Sequence, residues 1–190
     1  MKTAISLFFL IAANICGFNN SIGKHSNYFQ QNNLPLQARV VAEIYKRYDL
    51  KKSSLNHLYP FDGHPGDSTE RYKLDQNKLK LYFKSLKNTL PVSDIFISDL
   101  NQIYQDAGIQ LSRTKQYDGP IDGLEYDLIY KIQEPDDIIN HLNEMKVITI
   151  RNKSKSSFIV LGIGKHLRIN TYLSRYNNTW LIDHLTPYYL

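Results

Sequence analysis

A chain of 190 residues with 42% hydrophobic and 22% charged side chains carries enough apolar surface for one packed domain and is too apolar to be disordered throughout. Its single cysteine excludes a disulfide within the chain, so stability has to come from an apolar core. The net charge of +5 is spread over scattered lysines and arginines, and Lys80, Lys84 and Lys87 share one side of a helix, which reads as a solvated face.

The opening "MKTAISLFFLIAANICG" has one cation, Lys2, followed by an apolar run over residues 4–13 and then smaller residues. That is the layout of a secretory signal peptide, and the run is too short to span a bilayer comfortably. Residues 1–17 are therefore expected to be a signal peptide, 18–34 a polar flexible lead, and 35–190 a single α+β domain. Two readings of Cys16 stay open. It is either the lipidation site of a lipoprotein, or it is discarded by cleavage after Gly17. No later segment is long and apolar enough to cross a membrane. For an exported chain, nucleic acid is excluded as a partner.

The first helix follows Pro35. In "LQARVVAEIYKRYDL" the apolar residues Val40, Val41, Ile44, Tyr45 and Tyr48 recur at helical spacing. The stretch "YPFDGHPGDST" is a loop dense in Pro, Gly and Asp. Asp75 is a good N-cap for the second helix, with Leu74 and Leu79 placed as a hydrophobic staple. Leu79, Tyr82, Phe83, Leu86 and Leu90 form its stripe, and Pro91 stops it. Ser93 caps a third helix whose predicted buried face is Val92, Ile95, Phe96, Leu100, Ile103 and Tyr104, with Gly108 ending it.

After that the pattern changes. "KVITIRN", "SSFIVLGI", "HLRINTYLSR" and "TWLIDHL" are rich in β-branched and aromatic residues and are separated by turn formers, as in an antiparallel meander. In the third of these, Leu167, Ile169, Thr171 and Leu173 fall on one face and His166, Arg168, Asn170 and Tyr172 on the other. Asn177-Asn178 makes the last turn. In the closing strand Trp180 and Ile182 are expected on one face, with Leu181, Asp183 and Leu185 on the other, and the strand is expected to be central. Helices first and strands after imply an α+β fold, with N-terminal helices packed on one face of an antiparallel sheet.

Helices followed by a meander that closes on "NTWLIDHL" resemble the nuclear transport factor 2-like (cystatin-like) superfamily. Within it, the early "VVAEIYKRY", the middle "GPIDGLEYDLIYKIQEPDD" and the closing stretch are similar to bacterial domain-of-unknown-function family 3828. The resemblance covers residues 36–190. It implies a cone-shaped sheet curved around a long helix, a cavity inside the cone, and an exported protein or lipoprotein.

Three groups of residues could carry chemistry. His57, Asp62, His64 and Asp67 offer metal-ligand types, but their spacing matches no metal motif and reads as a polar loop. Asp122, Glu125 and Asp127 cluster in "IDGLEYD", where closing the segment onto the sheet through hydrogen bonds is the expected role. His166, Arg168 and Tyr172 project from one strand, with Asp183 and His184 on the next. Alternation sends Asp183 and His184 to opposite faces, so they are not expected to act as a pair. The ligand-binding candidates are Tyr126, Asp127, Arg168, Tyr172 and Asp183. No catalytic residue, metal or cofactor is assigned, because no nucleophile elbow, phosphate loop or Cys/His pair is present. The expected function is an exported, non-enzymatic binding domain for a small molecule, a peptide or an envelope protein. A cone-fold isomerase or hydrolase, and a periplasmic immunity or inhibitor protein, are the alternatives.

Overall fold

Helix α1 (Leu36–Asn56) begins directly after Pro35, whose fixed φ suits a helix entry and whose carbonyl accepts from the Arg39 amide. The computed structural model describes residues 34–63, 70–117 and 119–190. The expected signal peptide, Cys16 and all but the last residue of the lead lie outside the described residues, as do His64 and Asp67. Val41, Ile44, Tyr45 and Tyr48 are buried along α1 as the periodicity predicts, while Val40 is only half-buried.

A two-stranded ribbon follows, β1 (Phe61–Asp62) paired antiparallel with β2 (Lys73–Leu74). Two residues a side are too few to leave a period in the sequence, and the ribbon was not predicted. Helix α2 (Gln76–Thr89) starts as expected: the Asp75 carboxylate accepts from the Asn77 and Lys78 amides. Those two backbone donors hold the Asp75 carboxyl below its ordinary range. Leu79, Tyr82, Phe83 and Leu86 form the buried stripe, and Leu90 caps the helix before Pro91.

Helix α3 (Asp94–Thr114) is capped by the Ser93 hydroxyl, which accepts from the Phe96 amide at 3.3 Å. Two details depart from the sequence reading. Ile95 is 49% exposed and is not part of the buried face. The helix also runs past Gly108 and ends at Lys115, which takes the left-handed conformation at φ 53°. Gly108 instead makes room inside the helix: a Cβ there would lie 2.9 Å from Leu74 Cδ2. The residue that reads as a stop is thus a close-packing point between α3 and the ribbon.

After an irregular stretch come a one-turn helix α4 (Asp136–Ile139), a 3-10 turn (Leu142–Glu144) and the sheet. Strands β3 (Lys146–Asn152), β4 (Ser156–Ile163), β5 (Leu167–Tyr176) and β6 (Thr179–Tyr189) form an antiparallel meander in the order β3-β4-β5-β6. The fold is α+β, helices on a four-stranded antiparallel sheet. Ile159, Leu161, Ile169, Thr171, Leu173, Trp180, Ile182 and Leu185 are buried on the face toward the helices.

Strand β6 corrects two expectations. It is the terminal strand of the sheet and not a central one, and its outer edge is closed over a short length by the chain between α2 and α3. There the Ser93 amide donates to the Ile182 carbonyl at 3.0 Å and the Ile182 amide to the Pro91 carbonyl at 2.9 Å. It also carries a bulge. Tyr172 pairs with His184 but Leu173 pairs with Ile182, which leaves Asp183 as the extra residue. The bulge resets the alternation, so Leu185 joins Trp180 and Ile182 on the buried face instead of opposing them. Among the described residues no helix is long and apolar enough to cross a membrane.

Candidate functional site

The five predicted ligand-binding residues fall in two places. Arg168, Tyr172 and Asp183 belong to the face of the sheet opposite the apolar core, which α3 reaches at the β6 edge through Asp99. Tyr126 and Asp127 belong to a cavity among the helices.

The sheet face is built by register. Phe158, Tyr172 and His184 are direct cross-strand neighbours on β4, β5 and β6, so their rings meet in a row. The Phe158 and Tyr172 ring centres are 4.8 Å apart, and Tyr172 meets His184 edge-on at 6.0 Å. Arg151 on β3 is paired with Phe158 and extends the row to the far edge. Below it Arg168 lies between Gly162 and Tyr188. Arg168 Nη1 donates to the carbonyl of Leu167 at 2.9 Å, and the missing side chain of Gly162 leaves space that Arg168 and Ile148 share. Tyr172 is 50% exposed and Ile148 48%, although both sit in the sheet.

The bulge changes what Asp183 and His184 can do. Ser174 and Tyr172 lie on the same face of β5; Ser174 donates to Asp183 and Tyr172 contacts the His184 ring. Both side chains therefore serve one face, contrary to the expectation from simple alternation. They still form no pair with each other. His184 Nδ1 is 2.8 Å from Asp99 Oδ2 on α3, a residue the sequence reading did not single out. Asp99–His184 has the form of a carboxylate-oriented imidazole, the arrangement a general base uses. Its side chains are 44% and 47% exposed, so water is not excluded from it.

The second place centres on Asp127. Its Oδ1 accepts from the amides of Ile129 (2.9 Å) and Tyr130 (3.1 Å), and its Oδ2 takes the Tyr48 hydroxyl (3.1 Å) and the Lys52 ammonium (3.0 Å). The "IDGLEYD" segment is thus tied to α1 and not to the sheet, which corrects its expected role. Glu125 turns away to accept from the Gly123 amide at 2.8 Å, and that bond lowers its pKa. Asp122, Glu125 and Asp127 do not converge, and among the described residues no group of three acidic, His or Cys side chains could hold a metal. Of the loop set, Asp62 pairs with Lys78, and His57 sits at the C-cap of α1.

Beside Asp127 is a cavity of about 120 Å³ lined by Tyr48, Tyr59, Tyr82, Tyr104 and Tyr126 with Leu55, Asn56 and Leu124. The sequence placed Tyr48, Tyr82 and Tyr104 in helix stripes as core residues, and they are indeed buried. Their second role as cavity wall depends on three helices meeting, which no local pattern signals. Burial pushes Tyr82 up to about 12; burial with the Asp127 carboxylate and neighbouring phenols pushes Tyr48 higher still, and burial with neighbouring phenols does the same to Tyr104. These phenols stay protonated at physiological pH.

Comparison with family models, with curated proteins and with solved structures found no match in any of the three.

Proposed function

We propose that the chain is an exported bacterial binding module that takes a peptide or envelope protein on the solvent-facing side of its sheet. The observation that carries this reading is the aromatic row Phe158–Tyr172–His184, flanked by Ile148, Arg151, Arg168 and Tyr188, presented on an antiparallel meander. Apolar and aromatic side chains held half-exposed in a sheet, with arginines among them, have the composition of a protein-binding patch. The resemblance to family 3828 and to the cone-shaped superfamily belongs to the same proposal, as does export directed by residues 1–17. Protein recovered from its native host should then lack that segment by mass spectrometry, or carry a lipid on Cys16. Intact Met1 on cytoplasmic protein would remove the export part.

The binding reading is tested by a photo-crosslinking amino acid placed at Tyr172 in the native host, with Leu81 on α2 as an equally exposed control site. A discrete adduct from position 172, absent from 81 and lost on Ile148→Ser, is the expected result. Equal labelling from both positions, or none from 172, sinks it.

Among the described residues, the Asp99–His184 pair is the feature that favours the cone-fold enzyme. Turnover of an ester, glycan or peptide substrate that disappears in His184→Ala with the fold intact would replace the binding reading. An immunity or inhibitor protein is a special case of the same interaction surface, and an adduct with a secreted enzyme would identify it.

A further inference from the structure

The cavity beside Asp127 has a chemistry of its own. Its walls are five tyrosines, three of them buried (Tyr48, Tyr82 and Tyr104) and two at the rim (Tyr59 and Tyr126). Tyr82 and Tyr104 stand nearly perpendicular, at 77° with ring centres 5.8 Å apart, so they form two sides of a box. The charged group in the wall is the Asp127 carboxylate. Its polar atoms are weighted toward acceptors, because each phenol oxygen has two lone pairs and one proton, and the Tyr48 hydroxyl already donates to Asp127.

We propose that this cavity binds an organic ammonium cation, held by the tyrosine walls and the Asp127 carboxylate. The chain already shows the interaction in tethered form. Lys52 reaches Asp127 Oδ2 at 3.0 Å, with its ammonium 5.9 Å from the Tyr48 ring centre and 5.4 Å from that of Tyr130. A cation over an aromatic face is attracted by the ring quadrupole, and tyrosine cages are a recurring receptor for methylated ammonium groups. Lys52 is thus a model of the ligand and a competitor for the same carboxylate. The volume selects for size as well. About 120 Å³ accommodates a small ammonium head group, well below the roughly 300 Å³ of a drug-sized site. The site is separate from the sheet face, so either proposal can fail alone.

The experiment titrates the protein as purified from its native host with choline, with tetramethylammonium, and with the neutral carbon analogue of choline, followed by NMR shifts of the tyrosine rings. Both cations are expected to bind with perturbation centred on Tyr59, Tyr82, Tyr104 and Tyr126, and the neutral analogue about five- to tenfold more weakly, the scale of a partly desolvated cation–π contact. Tyr126→Leu, at the rim, should weaken choline several-fold without disturbing the fold. Lys52→Met should strengthen it, because the tethered competitor is gone. Equal binding of the neutral analogue would make the cavity merely apolar and overturn the proposal. Weaker choline binding in Lys52→Met, or no ring shifts with either cation at tens of millimolar, would overturn it as well.

Discussion

Ser174 donates its hydroxyl to Asp183 Oδ1 at 3.0 Å across the β5–β6 ladder, at the point where Asp183 bulges out of register. The bond explains how an acidic residue only 8% exposed is tolerated in a terminal strand. Ser174→Ala leaves that carboxylate oxygen without its donor and should destabilise the domain by about 1–3 kcal/mol, the usual cost of orphaning a buried acceptor. In an Asp183→Ala background the same change should cost less than about 0.5 kcal/mol. Urea midpoints for the four proteins decide it; equal costs in both backgrounds would show that the bond does not stabilise the bulge.

Trp180 is buried on the helix-facing side of β6, with the Arg175 guanidinium 5.9 Å from its ring centre. Trp180→Ala should cost about 3–5 kcal/mol, as large-to-small aromatic changes in a core do. Thermal melts provide the check. A variant melting within a degree or two of the parent would mean that this ring does not anchor the core.

Gly108 sets two opposing effects against each other. Alanine is favoured over glycine inside a helix by about 0.8–1.0 kcal/mol, but overpacking a tight contact costs about 1–3 kcal/mol. With Leu74 Cδ2 at 2.9 Å and Leu74 Cβ at 3.0 Å from the added methyl, overpacking should win, and Gly108→Ala should lower stability by about 1 kcal/mol. In a Leu74→Ala background the sign should reverse. Stabilisation by Gly108→Ala in the parent would refute the close approach.

Alkaline pH should unfold the domain cooperatively. Tyr82 is raised from about 10 to about 12 by burial, and burial raises Tyr45, Tyr48, Tyr104 and Tyr130 in the same direction. A folded-state pKa above the unfolded one means the native state favours the neutral phenol. That stability is fully present below about pH 10 and is lost as the pH climbs toward about 12 and beyond. Phenolate absorbance from these tyrosines should therefore rise together with loss of far-ultraviolet circular dichroism. A smooth absorbance titration on an unchanged backbone signal would contradict their burial.

What could be read from the chain was mostly local. The caps Asp75 and Ser93, the stop at Pro91, the stripe of α2 and the four strands were all legible, because each depends on residues within one or two turns or on a period of two. So was the α+β class, since element order alone separates helices from strands. Gly108 misled because its use is set by Leu74, a residue distant in the chain that arrives beside it only when α3 meets the ribbon. The closing strand misled for a related reason. A bulge adds one residue that no alternation announces, and it moved Leu185 to the buried face and brought Asp183 and His184 to the open one. The aromatic row exists only because β4, β5 and β6 align Phe158, Tyr172 and His184, and the tyrosine cavity only because α1, α2 and α3 converge on Asp127. Side-chain type and period are properties of the chain. Which distant side chains share a surface is decided by register and packing, and both candidate sites lie in that second category.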